Sequence, residues 1–310
     1  MDVETQDLLR GSVREMFAAG DDDIVTGLSD LGWEDVVADD PNAAIDLLFN
    51  EQGRSGQSSS ALDTIAYATT DDGTYPVVHP FGAPAPGHRN DDSTIGIDGV
   101  LLADPQGPIM VPTAEGLGYL VGPQIIESAS TPVSGFHAGS RLRRVRTQLD
   151  ASALESVAFD WTSVRAVAHR ALATELVGNG NAMLAIATNQ IADRQQFGRP
   201  IGANQSPRHR LAESYALLSG AAELVKMAWQ SGTPWDARVA KAYAGHALDT
   251  TSRACLQVCG AIGLTTEHEL PTFVKRARVL DALYGSWSDA ITEIGAQLLG
   301  AVAVPPGGRL

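Results

Sequence analysis

Only two cysteines occur in the 310 residues, Cys255 and Cys259. They stand four apart on one face of a predicted helix. With no matching pair of histidines that spacing is a poor zinc signature, and a reduced intracellular pair is expected. Basic residues are also scarce. The 22 Lys and Arg against 37 Asp and Glu leave a formal net charge of −15. That balance argues against a nucleic-acid groove, which needs Lys and Arg gathered on one face. No apolar run reaches the ~20 residues of a membrane span, and Met1-Asp2-Val3-Glu4 lacks the basic start of a signal peptide. The expectation is a cytoplasmic protein whose partners are neither nucleic acid nor membrane. The densest acids, Asp21-Asp22-Asp23 with Asp39-Asp40, read as solvated helix starts and turns, so no metal is expected.

What remains is an ordinary globular composition, 44% hydrophobic and 19% charged, in a chain long enough for one to three domains. Residues 1–65 read as helical. Leu8, Leu9, Val13, Met16 and Phe17 recur at helical spacing, as do Ala43, Ile45, Leu47, Leu48 and Phe49. Leu28 to Trp33 is a helix exit, and Glu51 to Gly56 ends the second run at a glycine cap. Residues 66–150 change character: short β-branched runs at Thr94–Ile97, Pro108–Val111, Gly118–Val121 and Leu142–Thr147 alternate with turn residues, which indicates a small β-domain. Pro80 to Gly87 reads as a loop. The arginines of Leu142–Leu149 are placed on a solvent or interface face. Residues 151–310 are helical again and Ala-rich, with helices predicted over about 163–193, 207–231, 235–260, 270–278 and 286–299. Their length and short Gly-bearing turns fit an antiparallel bundle. The tail Pro305-Pro306-Gly307-Gly308 is expected to fray.

Two stretches carry chemistry. In Asp193-Arg194-Gln195-Gln196-Phe197-Gly198-Arg199-Pro200-Ile201 and in Gln257 to Glu267, a helical pattern stops at a Gly-containing turn just after a cationic or amide side chain. Bare backbone N–H groups beside an arginine suit a phosphate-bearing ligand. Arg208, His209 and Arg210 open the next helix and read as surface residues.

A helical start, a small β-domain and a C-terminal four-helix bundle, with Arg-x-x-Phe-Gly closing the first bundle helix, resemble the acyl-CoA dehydrogenase family. The resemblance continues through Gln205, His209 to Ala212, Gln257 to Gly263 with Glu267, Val274 to Arg278, and Gly285-Ser286. The N-terminal half matches in outline only. The implied fold class is α+β, mainly α. The implied cofactor is FAD, which accepts a hydride from the β carbon of an acyl-CoA while a glutamate takes the α proton; an electron-accepting flavoprotein is implied as a further partner. By the resemblance Arg194, Phe197 and Gln205 meet the nucleotide end of FAD, and Gln257, Gly260 and Ala261 approach the pyrophosphate by backbone. Gly285 and Ser286 form the turn that meets the flavin. The family usually has a second glycine where Ala261 stands.

The chain departs from the family where the reaction occurs. The glutamate position before the Gly-Thr-like turn holds Tyr284, and the alternative in the first bundle helix holds Ala168. The nearest acid, Glu175, lies about 10 Å along the helix at ~1.5 Å per residue and is expected to be a buried carboxylate paired with an arginine. The β-domain has neither a Thr-Glu-Pro-x-x-Gly-Ser-Asp-like loop nor a tryptophan, and it is short for the family. The resemblance is therefore to the short subunit of the α2β2 acyl-CoA dehydrogenases of bacterial sterol side-chain degradation. That implies no catalytic residue of its own and a catalytic acyl-CoA dehydrogenase subunit as partner in a heterotetramer. Two alternatives stand beside it: an autonomous flavoenzyme using Glu175 or Asp289, and a flavin-free scaffold.

Overall fold

The computed structural model describes residues 2–20, 24–71, 73–90, 93–104, 107–134 and 141–301. The acid run Asp21–Asp23 and the tail at 305–308 lie outside them. The chain opens with four helices, α1 (Val3–Ala19), α2 (Ile24–Asp30), α3 (Trp33–Asp39) and α4 (Pro41–Ser55). Glycines in the left-handed conformation, Gly20 and Gly56, end α1 and α4. Asp40 caps α4 by accepting from the Ala43 N–H at 3.2 Å.

The sheet region holds β1 (Tyr67–Thr70), β2 (Gly73–Pro76), β3 (His79–Pro80), β4 (Gly87–Arg89), β5 (Thr94–Leu101), β6 (Ile109–Pro112), β7 (Leu117–Val121), the short α5 (Pro123–Ser128), β8 (Ser130–Pro132), β9 (Arg143–Asp150) and β10 (Glu155–Ala158). One sheet runs β3-β5-β9-β8 with β4 also on β5; a second runs β10-β7-β6; β1 and β2 pair alone. Val78, Ile97, Val111, Tyr119, Val121 and Val145 fill the space between the larger sheets. The strand pattern continues past residue 150, because β10 pairs with β7. The stretch 80–87 is a loop only at its centre, since its ends belong to β3 and β4. The arginines of β9 are tied within the chain: Arg143 Nε donates to Ser130 Oγ at 2.9 Å, and Arg144 and Arg146 both pair with Asp98.

The bundle consists of α6 (Trp161–Asp193), α7 (Gln205–Ser231), α8 (Pro234–Cys259), α9 (Leu270–Ala282) and α10 (Trp287–Gly300). A hairpin of β11 (Gln195–Gln196) and β12 (Arg199–Pro200) links α6 to α7. Every residue from Ala168 to Gly180 is buried, because α4, α7, α8 and α9 surround α6. The crossing of α4 and α6 needs glycine on both sides. A Cβ on Gly53 would lie 2.2 Å from the Glu175 carbonyl oxygen, and one on Gly178 would lie 2.4 Å from that of Asn50. Backbones this close leave no slot for a ligand at that crossing.

The sheets meet the bundle along one seam. Gly82 N–H donates to the Ala282 carbonyl at 2.9 Å, and Tyr284 N–H donates to the Pro80 carbonyl at 3.0 Å. No helix among the described residues is long and apolar enough to cross a membrane.

Candidate functional site

The two Gly-bearing turns lie at one end of the bundle. Arg194 is the C-cap of α6, and the turn that follows places Phe197 and Gly198 at φ 55° and 75°, as a two-residue hairpin of the I′ type requires. Phe197 is 98% exposed, so it is not a core residue. Among the described residues the Arg194 side chain makes no hydrogen bond or ion pair; it stands near Cys259, whose thiol pKa is raised by burial, an effect the Arg194 charge only partly offsets. Gln205, Gln257, Gly260 and Ala261 are exposed at the same end. Gly260 has φ 68° and ψ −151°, a conformation open essentially to glycine alone. Cys255 and Cys259 are free and buried, and burial pushes the Cys255 thiol up to about 12.

Gly285 and Ser286 are elsewhere. They stand between α9 and α10, beside the start of α6, where His169 Nε2 lies 3.2 Å from the Tyr284 carbonyl oxygen. From His169 to Arg194 the α6 axis rises about 37 Å at ~1.5 Å per residue. The predicted cofactor residues thus form two groups at opposite ends of the bundle, further apart than one dinucleotide extends. Ser286 caps α10, accepting from the Asp289 N–H at 3.2 Å and donating to Asp289 Oδ2 at 2.7 Å.

Both positions that lack the family glutamate are buried, Ala168 at 0% and Tyr284 at 4% exposure. Tyr284 has φ 59°, and its phenol turns inward to lie 3.0 Å from His79 Nδ1. His79 Nε2 lies 2.6 Å from Asp63 Oδ1. A carboxylate only accepts, so Nε2 carries the proton, and in the neutral ring Nδ1 accepts from the phenol. The Trp161 ring stacks on Tyr284 at 5.8 Å between centroids, and His169 meets it edge-on. Burial first, and the Asp63 charge second, raise the phenol well above its usual pKa. Tyr284 is therefore a locked neutral donor.

The substitute acids are engaged as well. Glu175 Oε1 accepts from Arg276 Nε at 2.9 Å and Nη2 at 2.5 Å, both residues being buried. Asp289 belongs to the α10 cap. Sequence reasoning missed His79, Asp63, Trp161, His169 and Lys241. The one available signal was a lone histidine in the apolar run Val77-Val78-His79-Pro80; nothing local points to a partner 205 residues away.

A family model described as acyl-CoA dehydrogenase, C-terminal domain, matches residues 157–299. The chain is similar to the acyl-CoA dehydrogenase IpdE2 of Mycobacterium tuberculosis (strain ATCC 25618 / H37Rv), with 36% identity over 106 residues, 34% of this chain and 33% of the relative. It spans about a third of the length of that curated relative. Among solved structures it is similar to a Tcur3481–Tcur3483 steroid ACAD variant, with a TM-score of 0.71 at 19% identity over 96% of this chain and 98% of that chain. The ChsE4–ChsE5 complex from Mycobacterium tuberculosis gives a TM-score of 0.66 at 16% identity over 84% and 82%. At these identities the likeness to the structures is one of fold.

Proposed function

We propose that this chain, which carries an acyl-CoA dehydrogenase C-terminal domain over residues 157–299, is the non-catalytic subunit of a heteromeric FAD-dependent acyl-CoA dehydrogenase and completes the FAD site of a catalytic partner. One observation carries the reading: Ala168 offers no acid, and Tyr284 spends its hydroxyl on His79. A base must come within about 3 Å of the proton it removes, and neither position allows that. FAD, when bound, supplies the hydride acceptor for α,β-desaturation of an acyl-CoA; the partner's acid takes the proton.

The residues of this chain bind and orient. Arg194 would pair with the pyrophosphate through its planar fork of donors, and Phe197 would wall the adenosine. Gln205, Gln257, Gly260 and Ala261 would line the same end. Gly285 and Ser286 would face the flavin end of a different cofactor molecule, because α6 separates them from Arg194. An exchange of ends between unlike subunits follows. Two fold relatives whose names join two chains support it. A steroid side-chain CoA ester is the substrate class we assign, on the name of one of those relatives, with a separate flavoprotein accepting the electrons.

The test is expression of the chain alone and together with a full-length acyl-CoA dehydrogenase partner. Alone, it should be colourless and inactive. Together they should give a yellow, active complex that loses flavin when this chain carries Arg194→Ala. Dehydrogenase activity from the chain alone would overturn the proposal, as would full flavin content in the Arg194→Ala complex.

A further inference from the structure

Beside the crossing of α4 and α6, on the side of α7, the helices leave a cavity of about 540 Å³. Its walls come from α1, α4 and α7, with Thr174 and Val177 of α6 beneath. Neither the predicted cofactor residues nor Tyr284 and its partners line it. Its half-buried carboxylate is Asp46. Asp46 Oδ1 accepts from Thr174 Oγ1 at 2.8 Å, and Thr174 accepts in turn from Trp229 Nε1 at 3.1 Å. That indole N–H also favours the ionised carboxylate. Asp46 makes no ion pair among the described residues, and its Oδ2 opens to the cavity.

The cations around it are engaged elsewhere or turned away. Arg10 reaches Asp46 by charge alone, being held by Asp7 at 2.7 Å and lying 3.6 Å from Glu51. Arg170 lies over the Trp229 ring, 5.1 Å from its centroid, and donates to the Gly232 carbonyl at 3.1 Å. Lys226 is exposed on the rim and makes no ion pair among the described residues. Asp40, the other acid on the lining, caps α4 through the Ala43 N–H. Burial raises the Asp46 pKa, with Thr174, Trp229 and Arg10 opposing. A charge taken out of water is costly unless a partner meets it, and here the chain supplies donors but no bonded counter-ion.

We infer that this cavity is a binding site for a primary monoamine with a small apolar body, its ammonium seated on the Asp46 carboxylate. An ammonium has three donors. Asp46 takes one, and the carboxamide oxygens of Gln6 and Asn50 suit the others, since neither side chain is bonded among the described residues. Asn50 follows Asp46 by one helical turn and shares its face. Val177, Ala222 and Val225 on the same lining match the apolar body. The volume falls within the range of about 300–1,000 Å³ common for small-molecule sites. Lys226 at the rim opposes a second positive charge, which disfavours a polyamine. The site does not rest on the proposed function and is tested apart from it.

Isothermal titration of the full chain with phenethylamine tests it, with phenethyl alcohol as the neutral arm. One saturable amine site is expected, with the alcohol weaker by about tenfold or more, the loss expected when a charge-assisted bond is removed. The net charge of −15 attracts any cation, so the site is located by substitution. Asp46→Asn keeps an acceptor for Thr174 and changes the net charge by a single unit, yet should weaken the amine by a similar factor. Lys226→Glu, an exposed change with no bond to lose, should tighten it several-fold, and this arm holds whether or not Asp46→Asn folds. No saturable heat with phenethylamine, equal binding of the alcohol, an unchanged Asp46→Asn titration, or no gain with Lys226→Glu would each overturn it.

Discussion

Tyr284 shows how one side chain can close a site. Its ring is packed against Trp161 and its hydroxyl is bonded to His79, so the residue stays at a positive φ that few non-glycine residues adopt. Tyr284→Phe should remove the hydroxyl and leave His79 Nδ1 buried without a partner. Such an orphan costs about 1–3 kcal/mol, read as a lower thermal midpoint, and the activity of an assembled complex should not change. His169 gives a prediction in pH. Its folded pKa of about 3 lies below the ordinary 6.5, so between these values the unfolded chain binds the extra proton. Stability from this group is present above pH 6.5 and falls as pH drops towards 3. Thermal midpoints recorded across that window should show the slope, and His169→Gln, which keeps a donor for the Tyr284 carbonyl, should flatten it. That Glu175 is buried and paired with an arginine was legible in the sequence, because an acid inside a continuous apolar helix needs a cation; that the partner is Arg276, 101 residues away, was not. The contact of Tyr284 with His79 was not, because it joins residues 205 apart through a seam that no periodicity announces.

The same contrast holds for the elements. The long helices follow from apolar periodicity, and their starts follow from capping residues: Asp160 for α6, Thr233 for α8 and Ser286 for α10. Gly-bearing ends were equally readable. Strand β10 was not, being four residues long and fixed only by its pairing with β7. The fit of α4 on α6 depends on glycines that helical propensity alone would replace. Gly53→Ala should gain roughly 1 kcal/mol of intrinsic helix preference, yet the new Cβ would meet the Glu175 carbonyl oxygen at 2.2 Å. Overpacking of this kind costs about 1–3 kcal/mol, and with backbone as the obstacle the upper part of that range applies. Denaturant titration should therefore show net destabilisation. A gain in stability would mean that the two helices can move apart.

At the scale of the molecule, the two groups of residues that resemble the family's cofactor site stand at opposite ends of the bundle, and on the proposed reading one chain cannot bring them to one ligand. The residues that resemble the nucleotide site are exposed, and Phe197 has no apolar surface of its own chain to cover it. The effect of Arg194→Ala therefore belongs to the assembly: flavin should leave the complex while the isolated chain keeps its stability, since Arg194 makes no side-chain bond among the described residues. This division was half legible. Motifs in order marked both ends, whereas their separation along α6 emerged only once the bundle was assembled in space.

The chain Tyr284–His79–Asp63 also bears on lineage. The substitution Tyr284→Glu would set a second carboxylate against the imidazole that already holds Asp63, where like charges resist joint ionisation. Regaining an ionised acid at this position therefore calls for coordinated replacement of residues near both ends of the sequence. Each intermediate would carry an unpartnered buried group. On the proposed reading, loss of the base once locked in this way works as a ratchet: selection can refine a dependence on another chain more readily than it can undo it.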